Sequence, residues 1–485
     1  DAPALTVTPA AGGDETAPIP LDLAAALTDT DGSESLAITV AGVPAGGVLS
    51  AGTDNGDGTW TLTPAQLTGL TITLPDNPTD DAPFTLTVTA TATESSNGST
   101  APTSAGIEVT VRNVAPTAAL TAPATGTEGS PVTVSLDGAT DVSPVDVAAG
   151  LEYAFDFGTG YGAFGAGNAA TFTPADNGTY TVRAKVRDKD GGETEYTTTV
   201  EVANASPTPT IASVSTPWLE GTAITATGGA TDPAGANDTV TLSWAVYKTG
   251  AAAPFATGTG AGVTFTPDDN GSYRVVLTAS DEDGGSASTE TTVAVDNVAP
   301  QNLTIAGPGS AVRGQPVTYS GLFTDPGSAD THTLAWQATR NGTVVATGSG
   351  PAFTFVPTVE GTYQVTFTVT DDDGGTTAAT QAVPVARFAV QPDPTAPGAV
   401  TLVVGGTTQA DDIRIAPDNG GGNDGVRVRL NGEDLGRFTV DSVTVYAQAG
   451  NDAVKVANGV RVPTRLFGGD GNDSLEGGGG DDLLV

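Results

Sequence analysis

Acidic and amide side chains recur in one order along this 485-residue sequence. Asn113, Glu128, Asp141, Asp188 and Asp190 make a first series, and Asn204, Glu220, Asp232, Asp281 and Asp283 repeat it. A third series reads Asp296, Asn297, Asp325, Asp371 and Asp373, with Arg313 standing where the first two have Glu128 and Glu220. Hard oxygen donors on loops are the ligand set of calcium, which takes about six to eight of them in flexible geometry. Gathered without a cation, such carboxylates repel one another, and a bound Ca²⁺ would turn the repulsion into a clamp. The same residues also suit solvated turns, in which Asp and Gly abound. Five oxygen donors recurring together favour metal in the first two series. Arg313 leaves the third open, because its guanidinium could pair with the aspartates in place of an ion.

Two further groups carry the same chemistry. Near the start stand Glu15, Asp29, Asp31 and Glu34. At the end, Gly468-Gly469-Asp470-Gly471-Asn472-Asp473-Ser474-Leu475-Glu476 fits the nonapeptide G-G-x-G-x-D-x-U-x, and residues 477–485 fit it again. That pattern is the calcium repeat of parallel β-helical coils. Asp473 and Asp482 are the matching aspartates, with Asp470 nearby, and Asp411-Asp412 and Asn451-Asp452 look like degenerate earlier turns. A glycine-rich flexible tail is the alternative for this segment.

The elements that must hold these residues follow from the repeats. Asn113-Val114-Ala115-Pro116 returns as Asn204-Ala205-Ser206-Pro207 and Asn297-Val298-Ala299-Pro300, at intervals of about ninety residues. Asp176-Asn177-Gly178-Thr179-Tyr180 returns as Asp269-Asn270-Gly271-Ser272-Tyr273, and Asp188-Lys189-Asp190-Gly191-Gly192 as Asp281-Glu282-Asp283-Gly284-Gly285 and Asp371-Asp372-Asp373-Gly374-Gly375. Between landmarks, stretches such as Tyr180–Val186 and Tyr273–Thr278 alternate apolar and polar residues with period two and are rich in Val and Thr. Short strands at this density predict β-sandwiches. In such a fold Asp141 lies on the BC loop and Asp188 and Asp190 on the FG loop of the same pole. Glu128 sits on the entering strand and Asn113 in the linker, so the series is expected to converge where two domains meet. Tyr153, Trp244 and Trp336 occupy equivalent core positions, and Ala65–Leu67 can make one helical turn.

These motifs carry a resemblance. The Asn-Val-Ala-Pro start, Tyr153-Ala154-Phe155-Asp156-Phe157, the Asp-Asn-Gly-x-Tyr corner and Asp-x-Asp-Gly-Gly resemble bacterial PKD-type, cadherin-like Ig modules, which occur in tandem on giant surface proteins. Asp29-Thr30-Asp31-Gly32, Val43-Pro44-Ala45-Gly46 and Thr59-Trp60-Thr61-Leu62 look like the repeat domains of large RTX adhesins. The resemblance implies an all-β chain of tandem Ig-like β-sandwich domains followed by a parallel β-roll. The expected domains are an adhesin-type sandwich at 1–112, PKD/Ig-like repeats at 113–203, 204–296 and 297–387, and an RTX-like β-solenoid at 388–485. In that family each G-G-x-G-x-D turn supplies backbone carbonyls and its Asp carboxylate to calcium.

Composition narrows the function. The net charge is −39, with 56 acidic and 17 basic side chains, which argues against nucleic acid and anionic lipid as partners. With no cysteine there are no disulfides, thiolate metal sites or thiol nucleophile, and no apolar run is long enough for membrane insertion. The one histidine, His332, is aligned with Val240 and reads as a strand or loop residue, and no nucleophile elbow or phosphate loop is present. The first residue is not Met and the last closes a repeat, as in an internal fragment or a processed chain. The expectation is a non-enzymatic, calcium-stabilised extracellular protein, structural or adhesive, of a bacterial surface or matrix. Its partners would be calcium ions and either copies of itself or surface and matrix components. The alternatives are a self-assembling filament or surface-layer subunit, and polysaccharide-binding accessory modules of a larger secreted enzyme.

Overall fold

The computed structural model describes residues 1–76, 82–418 and 425–485. The chain is all-β and built of tandem Ig-like β-sandwich modules. It divides into two compact units: Asp1–Pro209 with Ala230–Thr241 and Ala279–Ala287, and Thr210–Gly229 with Leu242–Thr278 and Ser288–Val485.

The first unit opens with a six-stranded sheet ordered Ala10–Asp14, Thr100–Arg112, Phe84–Glu94, Glu34–Ala41, Thr59–Leu62 and Thr53–Asp54. Along Phe84–Glu94 the inward Leu86, Val88, Ala90 and Ala92 are buried and alternate with threonines, so period two is realised as one dry face. A module of two sheets follows. Val132–Thr140 lies between Thr117–Thr121 and Ala169–Phe172, opposite Thr125–Thr127, Glu193–Ala203, Gly178–Arg187 and Glu152–Asp156. One short α-helix, Pro144–Ala149, was not expected from the sequence. Its signals are local: Ser143 caps it, accepting the Asp146 N–H at 3.2 Å, and Pro144 opens it. The turn expected at Ala65–Leu67 is 3₁₀ and spans Pro64–Gln66. The unit ends with two loops of the next module, Ala230–Thr241 and Ala279–Ala287.

The second unit holds the body of that next module, with Ile224, Trp244, Tyr273, Val275, Leu277 and Val293 in its core. In the module after it, Ala311–Val312, Thr376–Ala386, Gly361–Asp371, His332–Arg340 and Thr343–Ser349 form one sheet, and Gln301–Ala306, Val317–Thr324 and Ala352–Phe355 the other. Trp336 is buried between Phe353 and Phe367, with centroids 5.7 and 4.5 Å away, and its indole N–H donates to Gly350 O. Tyr153, placed in the same role by sequence, is only half-buried. The tyrosine corner is present: Tyr180 and Tyr273 hydroxyls donate to the Asp176 and Asp269 carbonyls at 3.0 and 2.9 Å.

From Phe388 the pairing changes. Val400–Gly405, Ser442–Tyr446, Thr464–Phe467 and Asp482–Leu484 stack in parallel, and Asp412–Pro417, Ala453–Val456 and Ser474–Glu476 stack in parallel in a second sheet. The chain alternates between the two sheets, enclosing Leu402, Ile413, Val443, Val454 and Leu466.

Truncating Trp336 tests the core of its module. Trp336→Ala should cost about 3–5 kcal/mol, lowering the urea midpoint of one unfolding transition while the transitions of the other modules hold.

Candidate metal centres

Each site begins where the chain pairs in parallel with the end of its own module, through a short strand at the first two and an isolated bridge at the third. Asp14 pairs with Arg112, Thr127 with Ala203, and Leu219 with Asp296. The residue after each, Glu15, Glu128 or Glu220, is therefore delivered to the pole where the chain leaves the module. There its backbone N–H donates to the carbonyl of Arg112, Ala203 or Asp296. Its carboxylate Oε1 accepts the N–H of the outgoing linker: Val114 at 2.9 Å, Ala205 at 2.6 Å and Val298 at 2.5 Å.

This corrects the grouping drawn from sequence. Glu128 does not meet Asp141, Asp188 and Asp190, and Glu220 does not meet Asp232, Asp281 and Asp283. Each glutamate belongs to the next series, because parallel pairing carries it to the exit pole. The first centre gathers Glu15, Asn113, Asp141, Asp146, Asp188 and Asp190; the second Glu128, Asn204, Asp232, Asp238 and Asp281, with Asp283; the third Glu220, Asn297, Asp325, Asp330 and Asp371. The first two lie within the first unit and the third within the second.

The FG-loop aspartate builds the floor of each. Asp188 Oδ1 accepts the N–H groups of Asp190 and Gly192, both at 2.9 Å, and Oδ2 accepts Asn113 Nδ2 at 3.0 Å. Asp281 Oδ1 accepts the Gly285 N–H at 2.7 Å and Asn204 Nδ2 at 3.0 Å, and Asp371 Oδ1 accepts the N–H groups of Asp373 and Gly375 at 3.0 and 2.7 Å, with Asn297 Nδ2 donating to its Oδ2 at 3.1 Å. The double glycine is forced by this turn. Gly191, Gly284 and Gly374 have φ of +91°, +94° and +94°, and a Cβ on the glycine after each would run into the aspartate carboxylate. The BC-loop aspartates Asp141, Asp232 and Asp325 accept the N–H two residues on, at 2.8, 2.9 and 3.0 Å.

At the second centre one oxygen each of Glu128, Asp232 and Asp238 lies within 4.8 Å of the others. Glu128 is 1% exposed and Asp238 6%. Glu128 Oε2, Asp232 Oδ2, both oxygens of Asp238, Asn204 Oδ1 and Asp281 Oδ2 have no hydrogen-bond partner among the described residues. Like charges at that separation repel by about 3–4 kcal/mol per pair at an effective dielectric near 20, and buried acceptors of this kind are rarely left unpaired. All the donors are oxygens, which suits a hard divalent cation such as Ca²⁺. Glu220, Asp325 and Asp330 form the same triad at the third centre, where Asp325 Oδ2 lies 2.9 Å from His332 Nε2.

Sequence reasoning missed Asp146, Asp238 and Asp330. The signal was there: each follows its BC-loop aspartate by five or six positions, ahead of the next strand. It also misplaced Arg313. The guanidinium does not enter the third centre. It sits at the following pole, where Arg313 N donates to Ala386 O and Nε to Gly405 O at 3.1 Å, and where Arg387 takes the place of Asn297.

Other candidates fall elsewhere. Asp29, Asp31 and Glu34 lie at the opposite end of the Thr100–Arg112 strand from Glu15, since Glu34 pairs with Glu94 beside its start. Asp29 and Asp31 accept the N–H groups of Asp31 and Ser33, and Glu34 accepts the Asp1 ammonium at 2.9 Å. Asp296 is exposed and contributes backbone; Asp373 is exposed and donates its N–H to Asp371. In the C-terminal sheets Asp473 Oδ1 accepts Asp452 N–H at 2.9 Å and Asp452 Oδ1 accepts Asp411 N–H at 2.8 Å, an aspartate ladder climbing successive turns. Asp482 accepts the Thr464 N–H, and Asp470 is exposed, bridging by backbone to Ala449.

Burial dominates the electrostatics. It pushes Glu15 up to about 7 against the pull of the Val114 N–H, with Asp146 and Asp141 adding to the rise. Burial, then Glu128 and Asp232, push Asp238 up to about 6; burial, then Glu220 and Asp325, do the same to Asp330. Asp141 and Glu220 are raised for the same leading reason.

Comparison with known proteins agrees with the modular reading. Residues 113–203 and 302–384 each match a PKD domain family. No curated protein matches the sequence. Among solved structures the chain is similar to Sidekick-1 immunoglobulin domains 1–5 (15% identity, 79% of this chain and 81% of that one, TM-score 0.25). It is also similar to protocadherin Gamma B2 cadherin domains 1–5 (14%, 78% and 78%, 0.23) and the human Desmocollin-1 ectodomain (12%, 87% and 85%, 0.19). The two family matches mark residues 113–203 and 302–384 as PKD-type modules, a kind typical of extracellular proteins and of binding or structural rather than catalytic roles. Among the described residues no helix is long and apolar enough to cross a membrane.

The raised carboxylates set a sign for pH. In the unfolded chain they titrate near their ordinary values; in the folded, metal-free chain Glu15 titrates near 7 and Asp238 and Asp330 near 6. The folded state therefore takes up protons first, and stability rises as pH falls from about 7 toward about 4.5. In excess chelator the thermal midpoint should be higher at pH 5 than at pH 7.5; the reverse order would contradict the burial of these groups.

Proposed function

We propose that this chain is a non-enzymatic, calcium-stabilised structural or adhesive protein of a bacterial cell surface or matrix, its modules clamped where they meet by Ca²⁺. The observation that carries the reading is the second centre, where buried oxygens of Glu128, Asp232 and Asp238 face one another without donors among the described residues. Glu128 comes from one module and Asp232, Asp238 and Asp281 from the loops of the next, so an ion held there ties the two together. Residues Glu15, Asp141 and Asp146, and residues Glu220, Asp325 and Asp330, would hold ions in the same way. A hard cation supplies the missing positive charge; the chain supplies the fixed cage.

Residues 388–485 are proposed to be an RTX-type β-roll. The parallel ladders, the nonapeptides and the Asp411, Asp452 and Asp473 ladder support this, with Asp473 and Asp482 as its calcium aspartates. Extracellular calcium modules bind with Kd of about 10⁻⁴–10⁻³ M, so the ions would be taken up outside the cell. There, binding would drive folding of a chain whose charge of −39 keeps the metal-free form expanded. The proposed partners beyond calcium are copies of the chain itself or surface and matrix components.

Thermal unfolding with and without chelator is the test. At free calcium a hundredfold above Kd, each site adds about 2.7 kcal/mol, so chelation should lower the midpoint by many degrees. Glu128→Gln should shrink that shift. A midpoint indifferent to chelation would refute the clamp.

A further inference from the structure

The second centre contains a second acidic triad. Oxygens of Asp176, Asp238 and Asp283 also lie within 4.8 Å of one another, so Asp238 belongs to both triads, and neither of its buried oxygens has a hydrogen bond among the described residues. The homologous positions at the first centre are Asp76, Asp146 and Asp190, and they form a triad of the same dimensions. The correspondence is structural. Asp76 and Asp176 each follow a residue whose carbonyl accepts from the next module's BC loop, Pro75 from Ser143 Oγ and Ala175 from Asn237 Nδ2. Asp190 and Asp283 hold the same place in the Asp-x-Asp-Gly-Gly turn.

The two triads differ in one respect. At the first centre Lys189 Nζ lies in the middle, 3.0 Å from Asp76 Oδ2, 3.2 Å from Asp146 Oδ1 and 2.6 Å from Asp190 Oδ2. Burial alone would lower the lysine, but bonds to Asp190, Asp76 and Asp146 outweigh it and hold the ammonium charged. At the second centre the residue in the place of Lys189 is Glu282, which is exposed and accepts the Thr239 N–H. That triad has the same carboxylates and lacks the resident cation.

We infer that Lys189 marks a cation position, and that the Asp176, Asp238 and Asp283 triad fills the same position with a second divalent ion, bridged by Asp238 to the ion at Glu128 and Asp232. The second junction then takes two calcium ions and the first takes one, its other position being satisfied by Lys189. This rests on the calcium reading above and adds to it the number of ions at each junction and the residue that sets it. The balance of charge agrees. Three carboxylates around one ammonium are partly neutralised within the chain, whereas three around no cation are not.

The experiment is a count of bound calcium on the full chain by equilibrium dialysis at saturating calcium, with far-UV circular dichroism to confirm that each variant is folded. Lys189→Glu should bind one more ion per chain than the unmodified protein, and Glu282→Lys one fewer. The double variant should return to the original count. Asp176→Asn, which touches one triad, should lose one ion without abolishing the site at Glu128. A calcium-binding protein whose count is the same in Lys189→Glu and Glu282→Lys overturns the inference and leaves the clamp standing. A chain that binds no calcium overturns both.

Discussion

Crowding like charges away from water is the constraint on which the rest of this structure depends. Glu15, Glu128, Glu220, Asp146 and Asp238 are buried among other carboxylates, where each pair costs several kcal/mol unless something positive stands between them. The chain accepts that cost at each junction by devices that are otherwise hard to explain. It uses a parallel strand to place the glutamate, an Asx-type turn to orient the BC aspartate, and a double glycine to let the FG aspartate fold over its own loop. None of these improves a hydrophobic core. All of them aim oxygens at one point.

The strand alternation made the fold readable. Thr and Val at period two, Asp-Asn-Gly before a tyrosine and prolines after the linkers are local signals, and local signals survive in a single sequence. The donor types at the sites were readable for the same reason. Their partition was not. Glu128 is close in sequence to Asp141, yet three residues of parallel pairing, Thr125–Thr127 against Glu201–Ala203, send it to the far pole. A contact between strands so distant in sequence leaves no mark in the periodicity of either. Asp238 and Asp330 were overlooked because they sit in loops whose lengths differ from that of the first module, where the equivalent Asp146 lies on a short helix.

The C-terminal sheets solve a related problem with different means. Parallel stacking puts Asp411, Asp452 and Asp473 one above another, and each carboxylate above the first is tied to the N–H of the aspartate on the preceding turn. Hydrogen bonds to backbone amides favour the charged form, which offsets part of the repulsion along the ladder. Asp452 is still raised, burial being the leading cause, and its Oδ2 has no hydrogen bond among the described residues. The sandwich junctions instead leave several oxygens of one cluster in that condition.

The four equivalent positions along the chain show how the constraint has been varied. Lys189 brings an ammonium into the first centre, the second has Glu282 in that place, and His332 stands beside Asp325 in the third. At the fourth, Arg313 replaces the glutamate and Arg387 the asparagine, so that a guanidinium stands where a carboxylate stood. Arg313 Nε points at the Gly405 carbonyl, and the Gly405 N–H returns to the Arg387 carbonyl at 2.8 Å. A donor facing a carbonyl is complete in itself, whereas a carboxylate facing carboxylates is not. The same parallel pairing thus ends in a carboxylate facing carboxylates at the first three junctions and in a guanidinium facing a carbonyl at the fourth, and the exchanges of glutamate and asparagine for arginine separate the two.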